Sequence, residues 1–158
     1  MNHSLLRLRI LIVDDNPVHA ERLKRMISHL DHEVVITDDC EEAVKLISSG
    51  KNLYDPTDVA ILDYFMPGIN GVELGKKLKS VDPDLNVIIL TADSSRETAA
   101  EVLAANLQTI GYITKKEDID VIISALNYAL ANKELLLSGE ISFLRERTAK
   151  YNNGSFSK

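Results

Sequence analysis

Five short runs, mostly apolar and each followed by an amphipathic segment, leave this chain few folds to choose from. They are Leu8 to Val13, Glu33 to Thr37, Thr57 to Leu62, Leu85 to Leu90 and Ile110 to Thr114. They lack strict polar/apolar alternation, the composition of strands in a parallel sheet covered on both faces. Between and after them apolar residues recur at helical spacing. The first set is Val18, Leu23, Met26, Ile27 and Leu30, the second Ala43, Val44 and Ile47, the third Val72, Leu74 and Leu78. An alanine-rich stretch through Ala105 and the set Ile119, Ile122, Ile123, Leu126 and Leu130 complete the series. The expectation is an α/β domain, βα five times over, with right-handed crossovers.

Punctuation between the runs supports this division. Asp14-Asp15-Asn16-Pro17 is a helix start, with Asn16 as cap and Pro17 in the first turn, where its missing N–H costs nothing. Asp38-Asp39 can cap a helix over about Cys40 to Ile47, followed by a polar loop from Ser48 to Asp58. Asn70-Gly71 opens a third helix to Ser80, which Asp82-Pro83 terminates, and Ser94 or Ser95 can cap a fourth. The domain is expected over residues 7–131, with a C-terminal extension over 132–158. Leu135, Leu136, Leu137, Ile141, Phe143 and Leu144 suit one extra helix, interrupted or capped near Ser138-Gly139, before a disordered tail.

Charge narrows the function classes. The whole chain carries −6, and its extension has five Lys and Arg against three Glu, so the acidity belongs to the domain. Nucleic-acid binding needs concentrated Lys and Arg and is not expected. No apolar run approaches a membrane span, and Arg7, Arg9 and Asp14-Asp15 spoil the signal-peptide look of the start. A cytoplasmic protein is the expectation. Cys40 is the sole cysteine, and no histidine has metal-ligand spacing with it.

The chemistry gathers at the strand ends, which a parallel sheet places on one edge, where open α/β sheets hold their ligands. Strand one ends in Asp14 and Asp15, strand three in Asp63, strand four in Thr91 and strand five in Lys115. Each residue alone reads as a turn, cap or surface group. Together they put three carboxylates, a hydroxyl and an ammonium in one crevice. Carboxylates that close oppose one another's ionisation, and a hard divalent cation such as Mg²⁺ resolves the conflict. A carboxylate can also take up a phosphoryl group as an aspartyl phosphate, whose oxygens a lysine and a threonine would bind.

The set Asp14-Asp15, Asp63 with Met66-Pro67-Gly68 and Gly71, Thr91-Ala92, and Tyr112-x-x-Lys115 resembles the receiver domains of two-component response regulators. The resemblance covers about residues 7–131 and implies a doubly wound five-stranded parallel sheet, flavodoxin-like, in strand order 2-1-3-4-5. It implies that Asp63 is the phospho-acceptor, that Asp15 ligates Mg²⁺ directly and Asp14 mostly through water, and that the Phe65 backbone carbonyl is a further ligand. Thr91 would move to hydrogen-bond the phosphoryl group, Lys115 would pair with it, and Tyr112 would change rotamer as Thr91 moves. Phe65 and Asp93 stand where the family tunes phosphoryl lifetime, and a bulky Phe65 is expected to slow self-hydrolysis.

Implied partners are a histidine kinase or phosphotransfer protein and a downstream protein or output domain. A second copy could bind through the face formed by the fourth helix, fifth strand and fifth helix. At most the domain would phosphorylate itself from small donors and dephosphorylate slowly, which is not enzyme activity in the ordinary sense. Lys116 stands where the family usually has proline, and Asn106-Leu107-Gln108-Thr109 replaces a glycine-containing turn, with Asn106 in place to supply the left-handed cap instead. Lys116 keeps open a non-phosphorylated receiver that only binds partners. A Mg²⁺-dependent phosphohydrolase would need an acid where Phe65 stands, and Asp14-Asp15 has the wrong charge for a flavodoxin phosphate loop. No output domain is recognisable after residue 131, so either a stand-alone receiver or a piece of a longer protein is expected.

Overall fold

The computed structural model describes residues 7–52, 55–93, 95–107, 111–114 and 119–154, with side chains through 107 and from 119 to 139. Strands and helices alternate along the chain. They are β1 (Arg9–Val13), α1 (Pro17–Ser28), β2 (Glu33–Thr37), α2 (Cys40–Asn52), β3 (Val59–Asp63) and α3 (Gly71–Val81). Then come β4 (Asn86–Thr91), α4 (Arg96–Ala104), β5 (Gly111–Thr114) and α5 (Ile119–Gly154). The first four strands form a parallel sheet in the order β2-β1-β3-β4, and the backbone of Gly111–Thr114 pairs parallel to the far side of β4.

Burial explains the missing alternation. Every residue of β3 is buried, and β1 and β4 are buried after their first residue, whereas edge strand β2 is half exposed. Successive residues of a strand face opposite sides. Ile10 and Ile12, Val59 and Ile61, and Ile88 and Leu90 accordingly pack with Ala20, Leu23 and Ile27 of α1 and Ile122, Leu126 and Ala129 of α5. Leu11 and Val13, Ala60 and Leu62, and Val87 and Ile89 face α2, α3 and α4 through Ile47, Leu74, Leu78 and Val102. Two apolar layers thus clamp the sheet.

The helix starts behave as their sequences dictate. Asn16 Oδ1 accepts from the backbone N–H of Val18 at 3.0 Å and of His19 at 3.3 Å, with Pro17 next in line. Asn70 Oδ1 caps α3 through Glu73 N–H at 2.9 Å, and Ser95 Oγ caps α4 through Thr98 N–H at 3.3 Å. Asn106 takes a left-handed φ of 49° just past α4, the conformation its position suggests.

Some boundaries differ from expectation for identifiable reasons. Helix α2 continues to Asn52 rather than stopping at Ile47. Ser49 Oγ donates back to the Lys45 carbonyl at 2.8 Å, so this polar side chain is satisfied inside the helix. Strands β3 and β4 begin one to two residues later than expected and take in Asp63 and Thr91 themselves. The extension also differs: α5 runs through Ser138-Gly139 without interruption, so the expected extra helix is its continuation. Ser138 Oγ donates to the Glu134 carbonyl at 3.0 Å, again inside the helix. At 36 residues α5 is about 54 Å long.

Lys133 of α5 is tied to the N-terminal edge of the sheet. Its Nζ lies 2.9 Å from Asp58 Oδ2 and 2.8 Å from the Arg7 carbonyl. Asp58 Oδ2 also accepts from Arg9 N–H at 2.8 Å, while the Asp58 carbonyl accepts from Asn86 N–H at 3.0 Å. No helix among the described residues is long and apolar enough to cross a membrane.

Candidate functional site

Strand register brings the acids together. Val13 lies opposite Leu62, so Asp14 follows on β1 as Asp63 follows on β3. Both continue the series of side chains that faces α1 and α5. Asp15 is the next residue after Asp14, and one carboxylate oxygen from each of Asp14, Asp15 and Asp63 lies within 4.8 Å of the others. Asp14 and Asp63 are buried while Asp15 is exposed, so the cluster has one wet side. Two like unit charges about 4 Å apart repel by roughly 1 kcal/mol in water and roughly 4 at the effective dielectric of a protein surface. Three carboxylates are hard oxygen donors, and a crevice with one open side leaves room for the waters that Mg²⁺ retains. The donor set fits that ion.

Local structure holds each acid in place. Asp14 Oδ1 accepts from Asn16 N–H at 2.9 Å, and Asp14 N–H donates to the Thr37 carbonyl at 3.2 Å. Beyond Asp63 the ladder extends one more step, with Tyr64 N–H donating to the Leu90 carbonyl at 2.7 Å. The turn then closes through Gly71 N–H on the Tyr64 carbonyl at 2.9 Å. A Cβ at Gly71 would lie 2.5 Å from the Asp63 carbonyl oxygen, so only glycine lets α3 start this close to the acid's backbone. Gly68, at φ +88°, turns the loop where other residues are strained.

Around the acids lie three further groups. Thr91 is fully buried at the end of β4, and its Oγ1 accepts from Asp93 N–H at 3.0 Å. Phe65 is 54% exposed, its ring edge-on to that of Tyr64 with centroids 4.8 Å apart. Asp93 is bound up in the start of α4: its carboxylate accepts from Ser95 N–H at 2.8 Å, Ser95 Oγ at 2.9 Å and Thr98 Oγ1 at 2.7 Å. Those bonds, the Thr98 hydroxyl foremost, hold the Asp93 carboxyl below its ordinary range. Lys115 and Lys116 lie outside the described residues. Tyr112 has its backbone in β5 opposite Ile89, and its side chain lies outside them.

The expected set is therefore brought together in Asp14, Asp15 and Asp63, with Thr91 at the end of the neighbouring strand. Sequence reasoning missed a second group. The Tyr64 hydroxyl donates to Glu101 Oε2 of α4, and Asn70 Nδ2 donates to Glu101 Oε1 at 3.1 Å. The hydrogen bond to Glu101, then burial, pushes the Tyr64 phenol up to about 12. An isolated glutamate in an alanine-rich helix has no local signal that distinguishes it from a solvated surface charge. The Cys40 thiol is pushed up by burial and then by Asp39, which agrees with a packing rather than a nucleophilic role.

Comparison with known proteins adds an independent line. A family model described as the response regulator receiver domain matches residues 10–127. A putative two-component response regulator of Arabidopsis thaliana is 30% identical over 130 residues, spanning 82% of this chain and 20% of that protein. The response regulator MprA of Mycolicibacterium vanbaalenii is 38% identical over 94 residues, 59% of this chain and 38% of that protein. This chain thus spans well under half the length of those two relatives. Among solved structures, the receiver domain of a Francisella response regulator superimposes with a TM-score of 0.68 at 28% identity, covering 80% of this chain and 98% of that one.

Proposed function

This chain belongs to the response regulator receiver domain family, and from that premise we propose that Asp63 is the phosphoryl acceptor of a two-component signalling switch. The supporting observation is the convergence of Asp14, Asp15 and Asp63 within 4.8 Å at the C-terminal edge of a parallel sheet. In this reading the sheet is the five-stranded flavodoxin-like one, order 2-1-3-4-5, and the receiver spans residues 7–131.

A carboxylate oxygen of Asp63 attacks the phosphorus of a phosphohistidine on a kinase or phosphotransfer protein. The P–N bond breaks, its electron pair leaves with the imidazole, and Asp63 becomes an acyl phosphate. Asp15, Asp14, Asp63 and the Phe65 carbonyl would hold Mg²⁺, which when bound supplies positive charge to the phosphoryl oxygens. Thr91 donates its hydroxyl to one of those oxygens and Lys115 pairs with another. Tyr112 reports the movement of Thr91 to the surface of α4, β5 and α5, where a downstream protein, an output domain or a second copy binds. The added charge is large enough to bias a two-state element that recognises it in one state only. Phe65 shields the acyl phosphate from water and slows its loss. The reading places the protein in the cytoplasm, acting on other proteins and not directly on nucleic acid.

Intact mass after incubation with acetyl phosphate tests the proposal, with and without Mg²⁺, beside Asp63→Asn. The expected result is a gain of one phosphoryl group that needs Mg²⁺ and is absent from the variant. If wild type gains nothing from acetyl phosphate or from a phosphorylated histidine phosphotransfer domain, the partner-binding reading replaces this one.

A further inference from the structure

Glu101 reaches across from α4 to both ends of the loop that follows Asp63. One carboxylate oxygen takes the Tyr64 hydroxyl at the start of the loop, and the other takes the Asn70 amide at its end, 3.1 Å away. Both loop residues are themselves fixed: Tyr64 is buried, its carbonyl accepting from Gly71 N–H, and Asn70 caps α3. Glu101 lies on the exposed side of α4, so water can replace its partners when the helix shifts.

The same helix is tied to the end of β4. Thr91 Oγ1 accepts from Asp93 N–H, and the Asp93 carboxylate holds Ser95 and Thr98 in the first turn of α4. Hydrogen bonds therefore run from Thr91 through Asp93 to Thr98, one helical turn from Glu101, and from Glu101 to the residue directly after Asp63. The acid and the threonine at the ends of neighbouring strands are connected by a route through α4 that does not include β5.

We propose that Glu101 is a positioning residue whose clasp on Tyr64 and Asn70 holds α4 in the unphosphorylated arrangement and so sets how readily the Asp63 pocket accepts a phosphoryl group. The proposal rests on Asp63 being the acceptor. When Thr91 turns its hydroxyl toward a phosphoryl oxygen, it gives up the Asp93 N–H. The first turn of α4 moves with Asp93, Ser95 and Thr98, and Glu101 is drawn off the loop. A bond made in one state only is a coupling energy, and removing it favours the other state.

Beryllofluoride with Mg²⁺, a mimic of the phosphoryl group, supplies the test by titration calorimetry. Tyr64→Phe keeps the ring against Phe65, and Glu101→Gln alters an exposed residue. Glu97→Gln, on the same helix but outside the clasp, is the control. Each clasp variant is expected to bind beryllofluoride about fivefold more tightly than wild type, with Mg²⁺ affinity alone unchanged. The double variant should gain no more than Glu101→Gln alone, because that substitution already disturbs the bond that Tyr64→Phe removes. Hydrogen exchange of amides 98–102 should rise on beryllofluoride binding in wild type and already be raised in the variants. Equal or weaker binding in the variants, or effects that multiply in the double variant, overturns the clasp while leaving Asp63 as acceptor. Should Tyr64→Phe fail to fold, Glu101→Gln carries the test by itself. If wild type binds no beryllofluoride, the acceptor reading fails and takes the clasp with it.

Discussion

The two edges of the sheet treat carboxylates in opposite ways. At the N-terminal edge Asp58 is paired: Lys133 Nζ and Arg9 N–H both reach Oδ2, at 2.9 and 2.8 Å. That arrangement joins β1, β3 and α5 and has the character of a structural pin. At the C-terminal edge Asp14, Asp15 and Asp63 crowd like charge within 4.8 Å. One edge thus uses its acid to cross-link elements, while the other gathers three oxygen donors around a partly open crevice, a set that fits a hard cation. The two edges differ in the company each acid keeps, a lysine and a backbone amide at one and fellow carboxylates at the other.

This contrast is sharpest in stability. Asp58→Ala takes the counter-charge from Lys133, which among the described residues keeps only the Arg7 carbonyl, and the acceptor from Arg9 N–H, and should cost about 3 kcal/mol in a denaturant titration. If the loss is below about 1 kcal/mol, Asp58 is not the pin described. Gly71→Ala comes next. Its Cβ would meet the Asp63 carbonyl oxygen, so about 2 kcal/mol should be lost, and Mg²⁺ affinity should fall as Asp63 is displaced. An unchanged Mg²⁺ affinity would show that the α3 start does not position the acid.

At the acidic edge the effect should depend on Mg²⁺. Asp14→Asn retains an oxygen for Asn16 N–H while removing one of the three clustered charges, so its main effect should be on the response to Mg²⁺. Adding Mg²⁺ should raise the melting temperature of wild type far more than that of the variant. An equal Mg²⁺ shift in wild type and variant would place Asp14 with Asp58 among the structural acids.

The smallest effect concerns pH. Burial lowers the His32 pKa from its ordinary 6.5, with Lys133 acting the same way and Asp31 and Asp58 opposing. Its Nδ1 accepts from Leu8 N–H at 3.3 Å, which requires the unprotonated nitrogen. As pH falls below 6.5 the unfolded chain takes up the proton first, so stability falls with pH until the folded imidazole also titrates. His32→Gln should flatten the unfolding midpoint between pH 7 and 5, and an unaltered profile would assign that slope to other groups.

Much of this was legible in the sequence because it is local or periodic. The apolar runs and their flanking helices follow from patterning, and Asn16-Pro17, Ser95 and Asn106 from cap chemistry. The three acids were legible because parallel strands put their ends on one edge. The Glu101 clasp and the Asp58–Lys133 pair were not, since their partners lie 37 and 75 residues apart and each is a common surface residue type. The uninterrupted α5 was missed for a different reason. Serine and glycine suggest an end, but a serine that bonds back to the carbonyl four residues earlier does not force one.

The central claim is that the phosphoryl group resides on Asp63, and borohydride reduction tests it most directly. Borohydride converts an aspartyl phosphate to homoserine, which peptide mass mapping locates. After phosphorylation in Mg²⁺, homoserine is expected at position 63 and at no other aspartate. Homoserine at Asp14 or Asp15, or at none of the three despite a gain of phosphoryl mass, would contradict the account.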